Sequence, residues 1–462
     1  MTIVPDASEK DHELLLRFKY FIKRFKINQI LRSVNATKEK GVPVYAIFAF
    51  LMQLVFTHKN FFGLLETRPE EVGFGKDVVY RFLAKACIRW ELFVFRLSTS
   101  VINDVKKLTS SERKHVYIID DTPYYRDRSK KVEMLSRCYD HSKDCYYKGF
   151  EMLNLGWSDG QTFIPVDFRL VASGNDKNLL YGSEAPEDNR TIATQRRADA
   201  RKEKPALALE MLENAKSATV IPDYVLFDSW FSSPSFILSV KALGYDAVAR
   251  LKNHENFRYI FQGQCLSLSQ IYKMSKKRRG RSRYLLSVEV KVQHKDFTET
   301  IPAKIVFARD RKKRKKWIAL ISTDVALTEN EIIELYAKRW DIEPFHKVIK
   351  FNLHLTKEFQ LRSFDAITAH AAIVLTRYIF LSLLNRESKD DRTIGELFLI
   401  VCDELEDISF AYAFELILAV FEQYLADYLY LAKTQIEALV EHFLAYLPSC
   451  IKDRLTFSVC ES

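Results

Sequence analysis

Two short apolar runs that each stop at an aspartate constrain the fold of this chain more than any other feature. Val116-Tyr117-Ile118-Ile119 leads into Asp120-Asp121-Thr122, and Tyr224-Val225-Leu226-Phe227 leads into Asp228. β-Branched and aromatic runs of this length, bounded by polar residues, read as strands. A carboxylate at the end of a strand leaves the core and faces a cleft, while the rigid backbone fixes its position. One such aspartate is commonplace, because Asp often begins a turn. Two of them, joined by a third carboxylate on a helix, would form a cage for a divalent cation, since hard cations take oxygen ligands.

The elements around these runs alternate in type. Residues 12 to about 108 read as helical, with Leu14, Leu15, Phe18, Phe21 and Phe25 at helical spacing and a turn-rich break at Pro69 to Gly75. Lys76 to Leu97 reads as one helix with a basic side. Such a helix fits a major groove or an ordinary bundle. Phe150–Trp157 and Thr162–Val171, joined by Ser158-Asp159-Gly160, read as a β-hairpin. Arg190 to Lys216 reads as a single charged helix, and the face of Arg190–Lys204 as solvated rather than DNA-bound. Ser233-Pro234 supplies a cap and an N1 proline for a helix that Gly244 stops. Ala247–Leu251, Leu285–Val292, Ile301–Phe307 and Trp317–Ser322 read as strands. Thr328-Glu329-Asn330-Glu331 is a capping box, and from about Asp365 the chain reads as helical to its end.

Charge is concentrated in one place. Ile271 to Leu320 holds 17 Lys and Arg against 4 Asp and Glu, an excess larger than the +10 of the whole chain. A cationic block of this kind meets a polyanion, nucleic acid before membrane. The seven cysteines are odd in number and form no CxxC pair, which fits a reducing cytoplasm better than a disulfide framework. Cys138, His141 and Cys145 lack the second ligand pair of a structural zinc site. No signal peptide is expected at the N-terminus. The apolar run Ala366–Leu384 carries His370 and Arg377, so it reads as a buried core helix and not a membrane span.

The candidate third carboxylate lies after the capping box. Tyr336, Arg339, Glu343 and Lys350 are spaced three, four and seven apart, and on one helix they share a face. By geometry alone that stripe reads first as a solvated row of ion pairs. Pro344, directly after Glu343, removes a helical hydrogen bond and should kink the helix there.

Tyr-x2-Arg-x3-Glu-x6-Lys resembles the YREK signature of a large group of DDE transposases from bacterial insertion sequences (the insertion-sequence-four type). The Asp-x-Thr at Asp120-Asp121-Thr122 and the aspartate in Leu-Phe-Asp228-Ser-Trp-Phe are similar to that group's two strand-end aspartates. The basic, strand-rich segment between Asp228 and Glu343 is similar to its β-rich insertion.

The resemblance implies an α/β fold: an RNase H-like catalytic core interrupted by a β-rich insertion and flanked by helical regions. It divides the chain into a helical N-terminal region for DNA-end recognition (1–110), the core's first part (111–252), the insertion (253–316), the core's second part (317–385) and a helical C-terminal region (386–462). Asp120, Asp228 and Glu343 would be the catalytic, metal-binding triad. Asp121 stays open as the first carboxylate, because neighbours on a strand face opposite ways and only the Asp-x-Thr pattern favours Asp120. Mg2+ would be the cofactor, with Mn2+ as a substitute; a metal pair can clamp a scissile phosphate. Tyr336, Arg339 and Lys350 would contact phosphates. Trp317 would stack on an extruded base, unless it is a core tryptophan, and Arg311, Lys312, Lys313, Arg314, Lys315 and Lys316 would grip DNA. His141 and His346 are weaker candidates for assisting catalysis.

The implied activity is cleavage at an element's terminal inverted repeats and joining of the 3′ ends to target DNA. The implied partner is double-stranded DNA, with a dimer in the synaptic complex, no membrane, and a place on the bacterial nucleoid. A catalytically silent DNA-binding regulator and a metal-dependent nuclease without strand transfer are the alternatives.

Overall fold

The computed structural model describes residues 17–387 except for 58–60, 68–72, 110–111, 184–187, 189, 219–220, 279–281 and 310–315. It also describes scattered positions between 394 and 425, and residues 433–448 and 451.

Helices come first. α1 (17–24), α2 (Ile27–Ser33), α3 (Val44–Leu54), α4 (Phe61–Thr67), α5 (Lys76–Leu83) and α6 (Trp90–Lys107) precede the sheet. The helix expected over Lys76–Leu97 is therefore two. The break lets Trp90 turn inward and meet Phe82 edge to face at 5.7 Å, while the amide of Arg89 donates to the carbonyl of Val34. Burial of a tryptophan outweighs the local preference for a continuous helix.

The sheet begins with β1 (Val116–Tyr125), β2 (Ser136–Asp140), β3 (Cys145–Ser158) and β4 (Phe163–Val171). The expected hairpin is β3–β4. α7 (Ile192–Asp199) and α8 (Lys204–Ala215) follow, then β5 (Tyr224–Phe227), α9 (Pro234–Ala242) and β6 (Asp246–Arg250). Ser233 caps α9 by accepting from the amide of Phe236, with Pro234 inside the first turn. β1, β5 and β6 run parallel, and β3 lies antiparallel to β1 and β4. The order β4-β3-β1-β5-β6 is compatible with the expected RNase H-like core. β5 is buried along its whole length, as a central parallel strand must be.

The next segment widens this sheet. β7 (Arg258–Phe261), β8 (Gln264–Ser267), α10 (Leu268–Met274), β9 (Tyr284–Val292), β10 (Ile301–Arg309) and β11 (Trp317–Ser322) continue it in the order β6-β11-β10-β9-β7-β8. α11 (Glu329–Ala337) opens with the expected capping box of Thr328 and Glu331. A 3-10 turn (Lys338–Asp341) leads to α12 (Ile342–Phe351), and α13 (Phe364–Glu387) and α14 (Lys433–Tyr446) close the described chain. One continuous core joins Phe48 and Phe93 of the N-terminal helices to Ile118, Phe227, Phe307 and Ile373. α13 is apolar and long enough to cross a membrane, but 94% of its apolar window is buried inside the protein. His370 and Arg377 on it both bond Glu358.

Candidate active site

Strand register brings the two aspartates together. β1 and β5 pair in parallel through Ile119 and Phe227, so the next residue on each chain is Asp120 and Asp228. β5 ends there. β1 does not: it runs through Asp120 to Tyr125, held by β3 alone. The expectation that Asp120 ends its strand is thus corrected. The cleft opens because β5 stops, and a β1 paired on one side only leaves Asp120 at its edge with the side chain 15% exposed. Asp228 opens the turn after β5, and its Oδ1 accepts from the amide of Trp230 at 2.8 Å.

Glu343 reaches the same place through Arg339. Nη1 of Arg339 donates to Oδ2 of Asp120 at 3.3 Å, and its Nη2 lies 3.5 Å from Oε1 of Glu343. The helix expected over 331–350, with a kink at Pro344, is divided in two, α11 and α12. The chain tightens into the 3-10 turn just ahead of Pro344. Proline has no N–H for the carbonyl of Trp340, four residues back, and its ring crowds that carbonyl. The kink therefore precedes Glu343 instead of following it.

The other two signature residues lie close by. Tyr336, in the last turn of α11, is half-buried; burial raises its hydroxyl, with Arg339, Asp228 and Arg250 as its charged neighbours. Lys350 is half-buried on α12, its Nζ 5.9 Å from the centre of the Tyr125 ring. Burial lowers its ammonium, and Asp121 and Glu343 are among the charges it senses.

The electrostatics are strained. Burial pushes the carboxyl of Asp120 up to about 7; Arg339 opposes this, and the like charges of Asp121, Asp228 and Glu343 reinforce it. Burial likewise raises Asp228, offset in part by the Trp230 amide and Arg339. One guanidinium does not neutralise this many carboxylates. Among the described residues, no three His, Cys, Asp or Glu are drawn close enough to hold a metal. The chemistry of the donors nevertheless fits a hard divalent cation. They are all carboxylate oxygens, and a 2+ charge would reverse the suppressed ionisation of Asp120.

Asp121 faces away from this group, as strand alternation requires. It bonds the ammonium of Lys204, which also lies 2.5 Å from Oε2 of Glu151. Asn154, opposite Asp120 across β3, lies 3.3 Å from Nε2 of His346. Burial holds His346 neutral, at about 3. Glu151 and Asn154 escaped the sequence reading, because each is a common polar residue placed by pairing alone, and Lys204, read with the Arg190–Lys204 face as solvated, is largely enclosed.

The remaining candidates lie farther out. Trp317 begins β11 and pairs with Arg309. Its ring is stacked on Tyr272 at 5.1 Å and meets Phe307 at 5.0 Å, so it is half-buried in a protein aromatic cluster. Lys316 is exposed, while Arg311, Lys312, Lys313, Arg314 and Lys315 lie outside the described residues.

Residues 40–317 match the model of the DDE superfamily endonucleases, which covers more than half of the chain and both aspartates. The chain belongs to the DDE superfamily endonucleases. The match ends ahead of Glu343, so the third carboxylate rests on the structure and the signature spacing. Comparison with curated proteins finds no match. Members of the superfamily use divalent metals, and DNA is their substrate. This DDE endonuclease carries a mixed α/β sheet compatible with the RNase H-like fold, and its activity is of the nuclease or transposase type.

Proposed function

We propose that this endonuclease is a transposase of the YREK-signature group, with Asp120, Asp228 and Glu343 as its metal-binding carboxylates. The observation that carries the reading is the convergence at the end of β5. Two aspartates in register meet a glutamate bridged to one of them by Arg339.

Mg2+, or Mn2+ in its place, would be held by these three side chains. When bound, the metal supplies Lewis acidity at a scissile phosphate and activates the attacking oxygen. The chain's own residues hold and orient. Arg339 keeps Glu343 close to Asp120 and offers a planar fork to a phosphate. Tyr336 and Lys350 flank it, one as a hydroxyl donor and the other as a point charge. Lys316 and the basic run before it grip duplex DNA, and Trp317 leaves Tyr272 to stack on a base displaced near the cut. The N-terminal helices recognise the element's ends, and two copies hold two ends in the synaptic complex.

The test is to incubate the protein with candidate inverted-repeat ends, a target plasmid and Mg2+ or Mn2+. Cuts at the element boundary and 3′ ends joined to the plasmid support the reading. Boundary cuts without joined products assign a nuclease, and end binding without any cut assigns a silent regulator.

A further inference from the structure

Lys204 touches the neighbours of both aspartates. It is the first residue of α8, where a cation meets the positive end of the helix dipole and is disfavoured. Its ammonium is nonetheless largely enclosed, with the side chain 14% exposed. It pairs with Asp121, the residue after Asp120, and with Glu151 on β3. It also lies 4.1 Å from the centre of the Trp230 ring, an indole that is 45% exposed and meets the ring of Phe231 edge to face at 4.7 Å. The Trp230 amide in turn bonds Asp228. One ammonium therefore holds the residue beside Asp120 and the residue that fixes Asp228.

We propose that Lys204 is a positioning residue: it keeps Asp121 out of the metal site and braces the Asp228 turn through Trp230. The inference rests on the metal-binding triad proposed above. It answers why two adjacent aspartates on β1 do not compete for one cation. Asp121 is already engaged by Lys204, on the other side of the strand. With Lys204 gone, Asp121 carries a free charge and the Trp230 ring keeps only its edge contact with Phe231. A cation is then still attracted, but by a wrongly arranged set of oxygens. The signature is a split between metal affinity and rate.

The experiment uses the full chain with Mn2+ alone, titrated by electron paramagnetic resonance, and end cleavage at saturating Mn2+ measured separately. Lys204→Met is expected to bind Mn2+ no more weakly than wild type, because a positive charge has left the neighbourhood. Its cleavage rate should fall about tenfold, the lower range for groups that orient metal ligands. Adding Asp121→Asn should recover the part of that rate lost to Asp121, leaving the deficit that Trp230→Leu shows alone, and Lys204→Arg should keep the rate. Equal loss of affinity and rate in Lys204→Met, a wild-type rate, or no recovery in the double variant overturns the proposal. If Lys204→Met does not fold, Trp230→Leu carries the test, since an exposed indole tolerates replacement. It should slow cleavage with Mn2+ affinity kept, and a wild-type rate in it overturns the bracing of Asp228. Failure of the wild-type protein to bind Mn2+ would instead sink the triad itself.

Discussion

Two charge clusters in this molecule, the second of them open to solvent at Glu343, look alike in composition and behave oppositely. In one, Arg196 and Arg197 of α7 meet Glu91, Glu133 and Asp365. Arg196 Nε donates to Glu91 at 2.9 Å, and Arg197 reaches Glu133 at 2.6 Å and Asp365 at 2.8 Å. The amide of Phe364 adds a further bond to Glu133 at 2.8 Å. In the other, Asp120, Asp228 and Glu343 share Arg339. Burial pushes the carboxyl of Glu91 up, but Arg196, with Arg169 and a backbone hydrogen bond, more than offsets it, and the group ends below its ordinary value. Asp120, with an arginine of its own, ends at about 7. The difference is the count of cations and donors per carboxylate. A compensated cluster fastens α6, α7 and α13 together. In an under-compensated one, burial suppresses ionisation, and an incoming cation can restore it.

The largest effect should separate the two clusters by activity. Asp120→Asn, Asp228→Asn and Glu343→Gln each remove a ligand charge with little change in volume, and each should reduce cleavage to background while end binding survives in a gel-shift assay. A variant that still cleaves would remove that residue from the triad. For Asp120 it would reopen the case for Asp121.

The next separates them by stability. Asp365→Asn leaves two buried guanidinium groups short of a partner, and breaking a buried pair costs about 3–5 kcal/mol. Its melting temperature should fall and every activity should fall with it. A melting temperature equal to wild type would mean that the network is dispensable.

The third turns on pH. The folded protein holds the Asp120 proton up to about pH 7, well above the ordinary carboxylate range. Between the two values the folded state binds more protons than the unfolded one, so this group makes stability fall as pH rises. Asp120→Asn should therefore melt higher than wild type at pH 8, with the gain vanishing near pH 4. Mg2+ should raise the melting temperature of the wild type at pH 8 and raise that of Asp120→Asn less. A lower melting point for Asp120→Asn at pH 8 would contradict the raised carboxyl of Asp120.

The smallest effect extends the comparison to the surface. Neutralising Arg311 to Lys316 should flatten the salt dependence of duplex binding, by about 0.9 in log–log slope for each DNA phosphate that the protein no longer neutralises. Binding isotherms across a salt series measure it, and an unchanged slope would make the run a solvated loop.

What could be read directly was local. The runs before Asp120 and Asp228, the hairpin turn at Ser158 to Gly160, the Ser233 cap and the Thr328–Glu331 box each depend on residues within a few positions of one another. All formed as read. The spacing of Tyr336, Arg339, Glu343 and Lys350 is local in the same sense, and it named the residues without placing them.

Only the tertiary structure decided which charges are satisfied. The face of Arg190–Lys204, read as solvated, carries Arg196 and Arg197 into the interior, and the single helix expected over Arg190–Lys216 divides at residues 200–203. Their partners lie 64 to 169 positions away along the chain, where no local pattern can register them. The same holds for Asp121, whose ammonium comes from a helix 83 positions on, and for Asp120, whose exposure is set by where β5 stops. Sequence alone determined the strands, caps and candidate carboxylates, because propensity and hydrogen bonding act over a few residues. Compensation of charge was left to the fold, because Coulomb energy depends on distances and burial that exist only once distant segments have packed.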